Sequence, residues 1–386
     1  MNRIFKYIAF VLLILWVGCD VHEFPEVKDT TKPPGNTQLP PGPDVSINPD
    51  NGNTGDNGDT GENDTGDQQN PDPTKATLHI MLNYETSMTQ WDHVYDGTKV
   101  VETGLGETYE NTCEGGQIRY VVRVCPVSPE RGTISEGAAE FVFVKDVSAG
   151  YDAELTVNVV PDNYNVMVWS DFSEGSELEN TYTTSDFSGI LQNEEHLGNS
   201  EHNDAFRGTT MISMSADLEN NPVDTVYVTM NRPLAKFEFI ANDLPEFINK
   251  IAGGIQTKTG TSVDTDDYKV RFYYVGFKPD VYSMHTDKPV DASIGVTFES
   301  TMSMLENSEV KIGFDYVFVG DNASAVTLQV GVYDNNDKQI SLTEPIKVPL
   351  MRDRHTILTG AFLTPDASKG VQINPDYDGD HNWILP

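Results

Sequence analysis

Arg352, Arg354 and His355 fall within four positions of "VPLMRDRHTILTGAFLT" (348–364), in a chain with 25 Lys+Arg against 60 Asp+Glu. Two guanidiniums and an imidazole so close together could grip an anion or serve an acid–base step. The same residues also fit the start of a β-strand. Arg354, Thr356, Leu358, Gly360 and Phe362 alternate with His355, Ile357, Thr359, Ala361 and Leu363, the period of two that a strand requires. Gly360 within that run marks a bulge or a close backbone approach. His196 and His202, in "HLGNSEH" beside Glu194, Glu195 and Glu201, offer nitrogen and oxygen ligands for a divalent cation, but the loop reads as solvated acidic surface. "DYDGDHN" (376–382) looks like a calcium loop, yet Gly379 is its fourth residue, where an EF-hand needs glycine sixth and a glutamate at twelve. No metal site and no cofactor are expected. Trp91, Trp169 and Trp383 could stack on sugar rings, but they lie in separate segments and Trp169 reads as core at a strand end. No GxSxG, HExxH, P-loop or GxGxxG is present, and carboxylates are too common for any pair to stand out. Catalytic residues are therefore expected to be none, and the chain is not expected to be an enzyme.

A net charge of −35 argues against nucleic acid and against electrostatic binding to anionic membranes. Cys113 and Cys125 form a C-x11-C spacing with no zinc signature. One disulfide, or two separate buried thiols, both fit an exported chain.

Export is written at the amino terminus. Residues 1–18 read as a signal peptide: Arg3 and Lys6 precede the apolar run Ile8 to Val17, which is well short of the roughly 20 residues that span a bilayer. Gly18-Cys19 is the junction of a lipoprotein signal, with Cys19 as the lipidation site. An ordinary secretory signal with an incidental Cys19 is the alternative. Several acyl chains, at about 0.8 kcal/mol per CH₂, anchor firmly. Residues 19–75 are rich in Pro, Gly, Asn, Asp and Thr and bury too little apolar surface to offset their ordering entropy. They are expected to form a disordered acidic tether whose ends average roughly 40 Å apart as a flexible coil.

The remaining residues exceed the usual size of one core, so two domains are expected, 76–221 and 222–386 with a C-terminal tail. The body is all-β. Period-two runs occupy 77–83, 117–124, 140–144, 153–160, 164–172, 206–214, 225–241, 268–277, 293–300, 311–320, 325–334 and 339–350, the pattern of half-buried strands. Short strands with Asn, Gly and Asp turns predict antiparallel sandwiches. "LPEFINKIAG" (244–253) is the best helix candidate.

Three stretches carry a family resemblance. Arg352-Asp353, Thr356, Gly360 and Leu363-Thr364 resemble the C-terminal signature of Bacteroidales fimbrillin-type surface lipoproteins, in which Asn stands where Asp353 is here. "MNRPLAKFEF" (230–239) is similar to that family's Arg-x-x-Ala-Lys strand, and "NYNVMVWSDF" (163–172) to its Tyr-x-Val-x-Val-Trp-x-Asp strand. The resemblance implies two tandem transthyretin-like β-sandwiches, an outer-membrane lipid anchor facing the cell exterior, and a role as fimbrial anchor, accessory or adhesin-type subunit. Asp20 and Glu23 resemble the acidic export signal of these bacteria, and Asp29-Thr30-Thr31 their O-glycosylation pattern, with Thr30 as acceptor. Fimbrial subunits joined by β-strand addition are the implied partners, beside the membrane reached through Cys19. In stalk pilins of that family a protease removes the first strand. Here residues 76–98 hold no Arg or Lys, Lys75 precedes the strand, and Lys99 lies past it. A non-polymerising role is therefore favoured over a stalk pilin. A glycan-binding lipoprotein of a polysaccharide-uptake system is the other alternative.

Overall fold

Leu78, Ile80 and Leu82 are fully or almost fully buried, while His79 and Met81 between them stay partly exposed. That alternation makes residues 76–84 a one-sided strand, and burying three such side chains stabilises the fold by roughly 1.5–3 kcal/mol each. The computed structural model describes residues 74–111, 116–127, 138–146, 151, 153–173, 180–193, 198–251 and 265–365. The signal, Cys19, Thr30, nearly all of the tether, Cys113, His196, the 376–382 loop and Trp383 lie outside the described residues.

The first half runs β1 (Ala76–Tyr84), β2 (Ser87–Tyr95), β3 (Val100–Glu110), β4 (Gln117–Pro126), β5 (Ala139–Asp146), β6 (Ala153–Val159), β7 (Asn163–Ser173), β8 (Tyr182–Thr184), β9 (Ile190–Gln192) and β10 (Ala205–Ser213). It continues with β11 (Val223–Met230), β12 (Leu234–Ala241), the helix α1 (Leu244–Ile251), β13 (Tyr268–Tyr274), β14 (Phe277–Ser283), β15 (Lys288–Ile294) and β16 (Thr297–Ser300). The last strands are β17 (Ser303–Met304), β18 (Val310–Phe318), β19 (Ser324–Asp334), β20 (Gln339–Leu342), β21 (Ile346–Leu350) and β22 (Arg354–Gly360).

These strands make two sandwiches and a sheet between them. In the first sandwich, the sheet β11-β1-β6 packs on β10-β7-β4-β5, with Ile80, Val122, Leu155, Val168 and Val228 in its core. In the second, β17-β18-β12-β22-β2-β3 packs on β16-β13-β19-β20, where β21 also pairs with β19. Phe237, Phe239, Phe272, Val330 and Leu358 fill that core, and α1 covers its end through Leu244 and Phe247. The third sheet, β15-β14-β9-β8, adds Tyr182, Ile190 and Tyr282 to a third cluster with Trp169, Phe314 and Phe318.

Several expectations change. The sheets are not purely antiparallel: β1 pairs with β11 in parallel, and β22 lies parallel to both β12 and β2. The boundary at 221/222 does not separate the cores. Val226, Val228 and Met230 of β11 complete the first core, and Tyr95 of β2 joins the second. All described residues fall in one unit, Gln69–Pro386. The single run read over 225–241 divides into β11 and β12, because Pro233 has no amide to donate to a ladder. The run 339–350 likewise divides into β20 and β21. Strands β2, β3, β8, β9 and β14 were not legible, since their sequences are polar or short.

Candidate functional site

Ion pairs and polar side chains cluster where the two sandwiches meet, and the motif residues lie among them. Arg119 of β4 donates to Asp171 of β7 through Nε at 2.8 Å and Nη2 at 2.5 Å, and Nη2 also reaches the Tyr182 carbonyl at 2.7 Å. Asp171 accepts from Trp169 Nε1 as well, at 3.0 Å. The Trp-x-Asp spacing thus places an indole in the third core and a carboxylate two residues on, on the same face of the strand. Trp169 is fully buried, so it offers no sugar platform; Trp91 is half-buried and meets His93 edge-on at 4.7 Å.

Arg232 is wholly buried. Its Nε donates to both oxygens of Asp204, at 2.9 and 2.8 Å. Its Nη1 and Nη2 donate at 2.6 Å to the carbonyls of Thr86 and Asn111, the two residues that flank the β2–β3 hairpin. One side chain therefore ties that hairpin to the first sandwich. Burial opposes the Arg232 charge, but the Asp204 carboxylate beside it holds its pKa above the ordinary value. Burial pushes Asp204 upward despite Arg232. Four residues on, Lys236 donates to Glu201 at 2.6 Å and lies 4.8 Å from the centre of the Phe314 ring. The Tyr316 hydroxyl donates to the same Glu201 at 2.5 Å.

The basic cluster that opened the sequence divides between two duties. Arg352 reaches back to Asp287, with Nη1 3.2 Å from Oδ2. Asp287 sits in the turn between β14 and β15 with φ at 54°, and it also takes Arg207 at 2.5 Å and the Tyr282 hydroxyl. His355 opens β22 and faces the other way. Its Nδ1 lies 2.7 Å from the Tyr109 hydroxyl and its Nε2 3.6 Å from Glu238. Burial drives the imidazole below its ordinary pKa, against the pull of Glu238. A buried ring held in this way structures the strand. Asp353 adopts φ 56°, a left-handed conformation that Asn and Asp tolerate best. That explains why Asp can stand where the resembling signature has Asn. Leu363 and Thr364 donate backbone N–H bonds to Asp243, at 3.2 and 2.6 Å, just ahead of α1. Gly360 allows Tyr95 and Phe362 to approach to 3.0 Å of where a Cβ would stand.

Cys125 is a free, buried thiol, and Cys113 lies outside the described residues. It packs with Val121, Met167 and Trp169, where burial pushes its pKa up and it serves as a small apolar side chain. His202 stacks on Phe172 at 5.5 Å. Among the described residues no group of three or more His, Cys, Asp or Glu is placed to hold a metal ion. Asp171 was visible only as the last residue of the Trp-x-Asp motif, and Asp204 and Asp287 were not singled out, because among 60 carboxylates no spacing distinguishes a buried one.

For strand addition, the decisive geometry is that of β1. It is an inner strand, bonded on one side to β11 and on the other to β6. Lys99 is exposed in the turn between β2 and β3, and β2 itself lies between β22 and β3. The edge strand β5 pairs with β4 alone among the described strands and exposes Val142 and Val144.

Residues 72–385 match a family described as a family of unknown function, DUF6562. The chain belongs to that family. No curated protein sequence matches this DUF6562 member. Among solved structures it is similar to a candidate cell adhesion protein from Bacteroides eggerthii (12% identity, 75% of this chain and 88% of that one, TM-score 0.37). It is also similar to two proteins of Porphyromonas gingivalis, the fimbrial anchor protein Mfa2 (9% identity, 69% and 82% covered, TM-score 0.33) and the tip fimbrial protein Mfa3 (9% identity, 71% and 81% covered, TM-score 0.32). Likeness at these scores says nothing of what the DUF6562 chain binds.

Proposed function

We propose that this chain is a lipid-anchored surface protein of the fimbrillin kind, acting as an anchor, accessory or adhesin-type subunit rather than as a polymerising stalk pilin or an enzyme. Its anchor is Cys19, and it stands off the outer membrane on the 19–75 tether. The observation that carries the non-polymerising reading is the place of β1. A cut after Lys75 leaves β1 whole. A cut after Lys99 removes β1 from the first sandwich and β2 from the second, between β22 and β3. Such a cut opens two sheets at once, and a single donated strand cannot refill both. Any subunit contact is then by addition at an outer edge, where main-chain hydrogen bonds supply affinity.

N-terminal sequencing of protein extracted from the cell surface tests this. A blocked, acylated terminus at Cys19 supports the anchored subunit. A free terminus between residues 84 and 100 means that the first strand is removed and that the chain polymerises. Measurable binding to a glycan panel, with no fimbrial subunit recovered after crosslinking on cells, favours the polysaccharide-uptake alternative.

A further inference from the structure

Between the two sandwiches, three polar side chains from three strands meet in a site closed to water. Lys278 of β14 and Asp315 of β18 are fully buried, and Gln192, the last residue of β9, is 4% exposed. Lys278 Nζ lies 2.5 Å from Gln192 Oε1 and 4.0 Å from Asp315 Oδ2. The Tyr274 hydroxyl donates to the same Asp315 oxygen at 2.7 Å. Asp280 and the Tyr274 ring, 5.7 Å from Nζ, are the other groups acting on the amine. A carbonyl bond is about 1.2 Å long. Lys278 Nζ is therefore at most about 3.7 Å from the carboxamide carbon, close to the about 3–3.5 Å from which addition begins. Burial drives the lysine pKa down, against Asp315 and Asp280. Burial also drives the Asp315 pKa up, against Lys278 and the Tyr274 hydrogen bond. Burial thus disfavours the ammonium form of Lys278 and the carboxylate form of Asp315.

We propose that Lys278 and Gln192 join in an intramolecular isopeptide bond that staples β14 to β9. Lysine Nζ attacks Gln192 Cδ, so the Nζ–Cδ bond forms and the Cδ–Nε2 bond breaks. The Asp315 carboxyl gives a proton to Nε2, which leaves as ammonia, as it takes one from Nζ. An amine and a primary amide become a secondary amide and ammonia, with no oxidant and no co-reactant. Asp315 acts as the proton carrier, and Tyr274 positions it. The staple sits in the sheet between the two cores, where it resists their separation under load.

The test is peptide mass spectrometry of the full-length protein, digested after denaturation and reduction. The expected result is a joined species of the Lys278 and Gln192 peptides, lighter than their sum by one ammonia. It should be absent from Lys278→Met and reduced in Asp315→Asn protein. Recovery of both wild-type peptides separate and unmodified overturns the proposal and leaves Lys278 as a buried hydrogen-bonded amine. Full joining in Asp315→Asn protein that keeps its β-sheet circular dichroism overturns the role given to Asp315. The wild-type digest decides the bond itself, whether or not the variants fold.

Discussion

Arg352 and His355 stand three positions apart and serve different neighbours, one holding the β14–β15 turn and the other buried against Tyr109 and Glu238. The histidine makes acid stability testable. Its folded pKa lies below its ordinary value of 6.5, so between the two values the unfolded chain binds the proton that the folded chain refuses. Stability is therefore fully present above pH about 6.5 and is lost as pH falls below it. His355→Gln should flatten the fall in Tm between neutral pH and pH 5, read by scanning calorimetry; an unchanged slope refutes the role. Arg232 sets a larger effect. Arg232→Met leaves Asp204 buried without its guanidinium, a change that costs about 3–5 kcal/mol when a buried pair is broken, and it frees the carbonyls of Thr86 and Asn111. Urea unfolding should show a lower midpoint, and amide exchange should quicken in the β2–β3 hairpin.

Among the elements, β1 was legible from its alternation alone and β2 was not. "SMTQWDHVY" mixes polar and apolar residues on both faces, because one face meets the second core only at Tyr95. Its place beside β22 comes from a partner more than 250 residues away, which no local pattern announces. The helix at Leu244–Ile251 was readable because Leu244 and Phe247, three apart, share one face. Ile80→Asp tests β1 directly. It puts an unpaired charge between β11 and β6 and deletes apolar contact, so the loss should be several kcal/mol, about the cost of a large core truncation or more. The shared third cluster should make that loss felt in one cooperative transition. A second, unshifted transition in calorimetry would show that the sandwiches melt independently.

For the whole molecule, attachment is the property to test. Cys19→Ser should leave the signal uncut or release the protein from membranes, read by fractionation and acyl labelling. A variant that keeps its acyl label and its membrane fraction removes Cys19 from the anchor. The sequence by itself determined the acidic character, the all-β class and most of the core-facing residues, because charge, composition and the period of two are local quantities. The Arg232, Trp169 and Leu363-Thr364 positions were visible as motif residues but not as parts of buried pairs and cores. Only the tertiary structure decided the partners. Parallel pairing of β1 with β11 and of β22 with β2, the exchange of strands across residue 221, the free thiol of Cys125, and the meeting of Lys278, Gln192 and Asp315 depend on residues far apart in the chain. Such contacts are fixed by burial and hydrogen-bond satisfaction across the whole fold, which a single sequence does not encode in any one window.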